Sequence, residues 1–246
     1  MMRLTLVLTL ALSAFAAHAE EHFFDSNGVQ IRYFVEGEGE PILLIHGYTA
    51  SGPLNWGGNG VKNLLAEKYQ VVMPDVRGHG KSGNPADGKH GVEVIHDMIR
   101  LLDHLNIETA HVAGYSMGGM ITIKMTTMFP ERVRSALVGG MGWMNADGLP
   151  PRDDSVDPST LPAMEASRRG FREFATFADE MKAIKTPLQV IVGTDDGSQM
   201  LRVQSWKEIV PDLDVVYVDG ADHVRCVFHP ALKNGMRAFI DANAGG

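Results

Sequence analysis

Short unbroken apolar runs alternate along this chain with segments whose apolar residues return every third or fourth position. The first clear unit is "HFFDSNGVQIRYFVEGEGE", in which two runs of strand character flank Asn27-Gly28. Asn-Gly favours the tight turn that joins two twisted antiparallel strands, so this segment reads as a hairpin. "PILLIHGY" and "YQVVMPDVRGHG" follow, each an apolar run that ends at glycine. Runs without polar alternation suit strands buried on both faces, as in a parallel sheet covered by helices. Between these two runs, "GVKNLLAEK" predicts a short helix. After them, "VEVIHDMIRLLDHLN" sets Val94, Ile95, Met98, Leu101, Leu102 and Leu105 on one helical face.

The alternation continues to the end of the chain. "AHVAGYS" reads as a strand, "MGGMITIKMTTMFP" as a helix stopped near Pro130, and "RSALVGGM" as a strand. "PLQVIVG" and "DLDVVYVDG" give two more strands and "PALKNGMRAFIDAN" a last helix. Strand and helix in alternation predict an α/β protein with an open, mostly parallel central sheet, helices on both faces, and functional residues at the carboxyl ends of the strands. The segment from about 142 to 186 interrupts this rhythm. "NADGLPPRDDSVDPSTLP" is a proline-rich loop and "AMEASRRGFREFATFADEMK" one or two amphipathic helices able to roof a pocket. In it, Met144, Met164, Phe171, Phe174 and Phe177 are read as core residues.

Residues 1–19 stand outside that pattern. Arg3 precedes the apolar stretch "LTLVLTLALSAFAA", and small residues at Ala17 and Ala19 precede Glu20. This is the pattern of a signal peptide cut after Ala19, which predicts an exported protein, periplasmic or secreted, with no stable membrane anchor after cleavage. Residues 20–246 are then expected to form a single domain. A length of 246 residues with 44% hydrophobic and 21% charged positions suits one sizeable core. A formal net charge of −8 without a basic run argues against nucleic acid as a partner. The one cysteine, Cys226, has no partner for an internal disulfide and reads as a small buried apolar residue.

Candidate chemistry centres on Gly114-Tyr115-Ser116-Met117-Gly118. This is G-x-S-x-G at a predicted strand-to-helix junction, where Gly114 and Gly118 allow a turn too sharp for larger side chains and Ser116 is held exposed as a nucleophile. A serine hydroxyl needs a base and an orienting acid. "VIVGTDDG" offers Asp195 and Asp196 at one later strand end, and "YVDGADHVRC" offers His223 at the next. A developing oxyanion also needs backbone donors, and Met117, after the nucleophile, supplies the first. His90, His96 and His104 form no metal set with useful spacing, and neither a dinucleotide fingerprint nor a phosphate loop is present. No cofactor or metal is expected.

Taken as a set, "LLIHGY", "DVRGHGKSG", "GYSMGG", "GTDD" and "GADH" resemble the α/β-hydrolase superfamily across nearly all of residues 20–246. The resemblance implies the α/β-hydrolase fold with a short lid. It places the acid at the fourth position of G-x-x-D, which is Asp196, with Asp195 as the open alternative, and the base at His223 rather than His46, His79 or His229. The loop after His46-Gly47 resembles the family's oxyanion loop and implies Tyr48 N–H as the second donor. Asp75, Arg77 and His79 read as structural polar residues. The expected activity is an exported serine hydrolase, carboxylesterase-like, cleaving a small-molecule ester or related acyl compound through an acyl-enzyme on Ser116. Alternatives are a perhydrolase or carbon–carbon bond hydrolase with the same first step, a silent ligand-binding protein of the same fold, or a structural role. Substrate, lid motion and oligomeric state stay open.

Overall fold

The computed structural model describes residues 20–245 apart from Gly148, Arg152 and Asp154. The predicted export segment, residues 1–19, lies outside the described residues.

Strands β1 (Glu20–Ser26) and β2 (Val29–Glu36) form the expected hairpin. Its turn places Asn27 at φ 55° and Gly28 at φ 86°, and Asp25 Oδ1 accepts the Gly28 N–H at 3.0 Å. Left-handed values at both turn residues are what an Asn-Gly hairpin requires. Six further strands follow: β3 (Glu40–Ile45), β4 (Tyr69–Pro74), β5 (Ala110–Tyr115), β6 (Val133–Gly139), β7 (Leu188–Gly193) and β8 (Asp214–Val218). The sheet order is β1-β2-β4-β3-β5-β6-β7-β8, antiparallel through β1, β2 and β4 and parallel thereafter.

Each apolar run splits its side chains between the two faces. In β3, Leu43 and Ile45 pack into one core layer and Ile42 and Leu44 into the other. The helices are α1 (Gly52–Gly57), α2 (Val61–Ala66), α3 (Val92–His104), α4 (Met117–Met128), α5 (Ala163–Gly170), α6 (Ala178–Ala183), α7 (Gly197–Ile209), α8 (His223–Phe228) and α9 (Pro230–Ala242). Residues of α3, α4 and α7 pack on the Leu43 face, and those of α1, α2, α8 and α9 on the Ile42 face. Burial on both sides explains why β3 to β7 carry no polar alternation, whereas β2, in the edge hairpin, alternates Gln30 and Arg32 with buried Val29, Ile31 and Tyr33. In α3, the predicted stripe of Val94, Ile95, Met98, Leu101 and Leu102 is buried.

Three helices escaped the sequence pattern. Helices α1 and α8 are six residues each, too short for a period to show, and α7 buries only Val203 and Trp206 of its thirteen positions. Between β6 and β7 the expected helical stretch breaks into α5, a 3-10 turn (Phe171–Phe174) and α6. The break follows from an extended pairing of Thr176 with Asn145, where Ala146 N–H donates to Thr176 O at 2.9 Å and Thr176 N–H to Met144 O at 3.1 Å. Phe174 is buried as expected, but Phe177 is 55% exposed and is not a core residue.

Candidate active site

Ser116 is the first residue beyond β5, in the middle of the sheet, and α4 starts at Met117. Its backbone sits at φ 55°, ψ −114°, a strained conformation for a residue with a side chain. The turn closes so tightly that a Cβ on Gly114 would lie 2.0 Å from Gly118 O, and one on Gly118 2.0 Å from Ile45 O. Only glycine fits either position, so the sequence pattern is the steric condition for lifting the serine above the sheet.

Two later strand ends bring their polar residues to this point. His223 opens α8 after β8, and Asp196 lies in the turn after β7. His223 Nε2 is 2.9 Å from Ser116 Oγ, and His223 Nδ1 is 2.6 Å from Asp196 Oδ2. Asp196 is 6% exposed, whereas Asp195 is exposed and ties its backbone N–H to Ala221 O. Of the two aspartates left open by the sequence, Asp196 is the one within reach of the histidine. The imidazole remains reachable from solvent, with its side chain 39% exposed.

The His46-Gly47-Tyr48 loop runs beside the elbow. A Cβ on Gly47 would be 3.5 Å from Ser116 Cβ. Asn55 Oδ1 accepts the Gly47 N–H at 2.9 Å, and Thr49 takes φ 65° to complete the turn. Asn55 escaped the sequence reading because its helix, α1, has no legible period. His46 is fully buried; its Nδ1 faces Gly47 O at 2.7 Å and its Nε2 accepts the Val76 N–H at 2.9 Å. Burial pushes its pKa down to about 4, so it stays a neutral brace between the two loops. Tyr48 donates its hydroxyl to Met164 O at 2.8 Å and meets Phe171 edge-on, which links this loop to α5 and the 3-10 turn after it. As the first residue of α4, Met117 has an N–H with no intrahelical acceptor.

The remaining polar residues of the sequence pattern are built into the frame. Asp75 is fully buried, holding Arg32, Gly52 N–H and Lys81 N–H. Arg77 makes two contacts of 2.6 Å to buried Asp97. His79 is buried beside His46 and Tyr48, and burial lowers its pKa. His229 caps α9 through the Ala231 N–H. Among the described residues, no three His, Cys, Asp or Glu side chains are grouped to hold a metal ion. A cavity of about 610 Å³ lies between the loop before α3 and the segment joining β6 to β7, lined by Lys89, His90, Glu93, Arg169, Arg172 and Glu173, and it does not include Ser116 or His223.

Fold and site together define an α/β protein that presents a serine, a histidine and an aspartate at the carboxyl edge of a mostly parallel sheet. A sequence profile of the α/β-hydrolase fold matches residues 40–145. The chain has the α/β-hydrolase fold. It is 27% identical over 221 residues to the (E)-2-((N-methylformamido)methylene)succinate hydrolase of Acinetobacter baylyi, covering 84% of this chain and 75% of that protein. A cis-3-alkyl-4-alkyloxetan-2-one decarboxylase of Shewanella oneidensis is 29% identical over 175 residues, covering 69% of this chain and 54% of that one. The chain spans less than half the length of other curated relatives, as with 34% of the dihydrolipoyllysine-residue acetyltransferase component of the acetoin cleaving system of Cupriavidus necator, at 38% identity over 53% of this chain. Among solved structures, an esterase from Thermogutta terrifontis superposes with a TM-score of 0.75 at 18% identity, covering 93% of this chain and all (100%) of that one, a likeness of fold.

Proposed function

We propose that this protein is a serine hydrolase that cleaves carboxylic esters or related acyl compounds through an acyl-enzyme on Ser116. The observation that carries the reading is the unbroken line from Ser116 Oγ to His223 Nε2 at 2.9 Å and from His223 Nδ1 to Asp196 at 2.6 Å, on an elbow that only glycines permit. In this mechanism His223 takes the hydroxyl proton as Ser116 Oγ attacks the carbonyl carbon, and Asp196 holds the Nδ1–H tautomer and stabilises the imidazolium. The carbonyl oxygen gains the negative charge and rests on the N–H groups of Met117 and Tyr48. The tetrahedral intermediate collapses, the leaving group departs with the proton from His223, and the acyl-enzyme remains. Water, deprotonated by His223, attacks the ester carbon; collapse returns the proton to Ser116 and frees the acid. A relative named as an (E)-2-((N-methylformamido)methylene)succinate hydrolase is in keeping with hydrolytic chemistry. Residues 1–19 are proposed to direct export, which detection of mature protein beginning at Glu20 outside the cytoplasm would test.

The test of the chemistry is labelling with a small fluorophosphonate, followed by peptide mass mapping and turnover of short p-nitrophenyl esters. An adduct on Ser116, lost together with turnover in a folded Ser116→Ala variant, is the expected result. Ester turnover that survives in Ser116→Ala overturns the proposal, and a folded protein that binds ligands without turnover would be the silent binder.

A further inference from the structure

Ser116 and Tyr115 are neighbours in sequence, yet their side chains leave the end of β5 on opposite sides. Ser116 meets His223 Nε2, while the Tyr115 ring packs into the core layer that holds Ala221 and Cys226. There its hydroxyl donates to the backbone carbonyl of His223 at 2.6 Å. The histidine is therefore gripped twice by one strand end, at its ring by residue 116 and at its backbone by residue 115. These contacts close a ring: Ser116 Oγ to His223 Nε2, through the histidine to its carbonyl oxygen, to the Tyr115 hydroxyl, and through one peptide bond back to Ser116.

The surroundings show a built arrangement. Tyr115 is 4% exposed. A Cβ on Gly139 would lie 2.8 Å from its ring, and one on Gly140 2.4 Å from its Cζ and 2.6 Å from its oxygen. The Gly139-Gly140 pair thus leaves the space that this ring occupies, with Gly140 at φ 55°. The buried Cys226 thiol lies against the phenol oxygen, and burial holds Tyr115 far above the ordinary tyrosine range, so the group remains an O–H donor. The histidine needs such an anchor. It opens a helix of only six residues after the Asp219–Asp222 turn, and its own ring is 39% exposed.

We infer that Tyr115 is a positioning residue for the acyl-transfer reaction: its hydroxyl fixes the backbone of His223 so that the imidazole stays in line with Ser116. This rests on the reading of Ser116 and His223 as nucleophile and base. A misplaced base slows proton removal without weakening substrate contacts, so the effect belongs in the rate constant rather than in binding.

The experiment measures the kinetics of fluorophosphonate labelling in wild type, Tyr115→Phe and Cys226→Ala, with ester kcat and KM alongside. Tyr115→Phe keeps the ring and removes one buried hydrogen bond. The maximal labelling rate and kcat are expected to fall about ten-fold, with reagent affinity and KM within about two-fold of wild type. Cys226→Ala, which removes only the thiol beside the phenol, should show a smaller fall of the same kind, and it carries the test if Tyr115→Phe does not fold. A purely structural role would lower the fraction of molecules labelled and leave the rate constant of the rest unchanged. That result, or wild-type rates in the folded variants, overturns the inference while wild-type labelling at Ser116 leaves the underlying reading intact. Absence of wild-type labelling overturns both.

Discussion

Acidification should destabilise this fold through His46, and replacing that one residue should remove a defined part of the effect. His46 is buried with its neutral ring bridging Gly47 O and the Val76 N–H, and burial is the leading cause that brings its pKa from 6.5 to about 4. The unfolded chain binds a proton near pH 6.5 and the folded chain only near pH 4. Between those values the unfolded state holds more protons, so stability falls as pH falls. At about 1.4 kcal/mol per pH unit the full loss is about 3 kcal/mol, of which about 2 kcal/mol has gone by about pH 5. With a urea dependence of about 3 kcal/mol per molar, that moves the unfolding midpoint by roughly 0.7 M between about pH 7.5 and pH 5. His46→Gln still offers a donor and an acceptor but cannot titrate. The assay is urea unfolding of both proteins at the two pH values. The variant is expected to be less stable at neutral pH yet to lose about 2 kcal/mol less on acidification. Carboxylates away from His46 and the buried His90, whose pKa is also lowered, act in both proteins and cancel in the difference. An identical loss in wild type and variant would refute the reasoning, because His46 would then titrate alike in folded and unfolded chains.

Four further outcomes follow from the structure. Asp196→Asn should keep the fold and lower kcat by about 10³-fold or more, since the histidine loses its tautomer partner, and steady-state ester kinetics measure it. Asp195→Asn, by contrast, should stay within about two-fold of wild type, because its carboxylate is exposed and away from His223. Gly118→Ala would drive a Cβ to 2.0 Å from Ile45 O, so a loss of about 3 kcal/mol or more, or failure to fold, is expected in thermal unfolding. Asp97→Ala removes the two 2.6 Å contacts that neutralise the buried Arg77 guanidinium and leaves it Glu93 at 3.6 Å and Lys89 O at 2.9 Å, so a cost of about 3 kcal/mol is expected by denaturant titration.

Much of the architecture is local in origin and was readable as such. The apolar runs that became β3 to β7 are continuous because both faces of the sheet are covered, and α3 shows its stripe because one face alone is buried. Asn27-Gly28 and Gly114-x-Ser116-x-Gly118 are legible for the same reason: each is a backbone conformation or a close approach that few residue types tolerate. Helices α1, α7 and α8 were not legible, since short or sparsely buried helices take their stability from neighbours rather than from a period of their own. Phe177 was misread as core because an aromatic in an amphipathic stretch carries no record of the extended break at Thr176 that turns it outward.

For the site, the sequence alone determined which residue types stand at which strand ends: Ser116 in its glycine elbow, two aspartates after one strand and His223 after the next. Tertiary structure decided the rest. It brought Asp196 rather than Asp195 to 2.6 Å from the imidazole, set Asn55 against the Gly47 N–H, and ran the Tyr115 hydroxyl to the backbone of His223. The physical reason is that a turn or an elbow is a property of a few consecutive residues, whose sterics the chain states directly. A hydrogen bond between residues 115 and 223 depends on the packing of two strand ends on one sheet, and no local pattern encodes it.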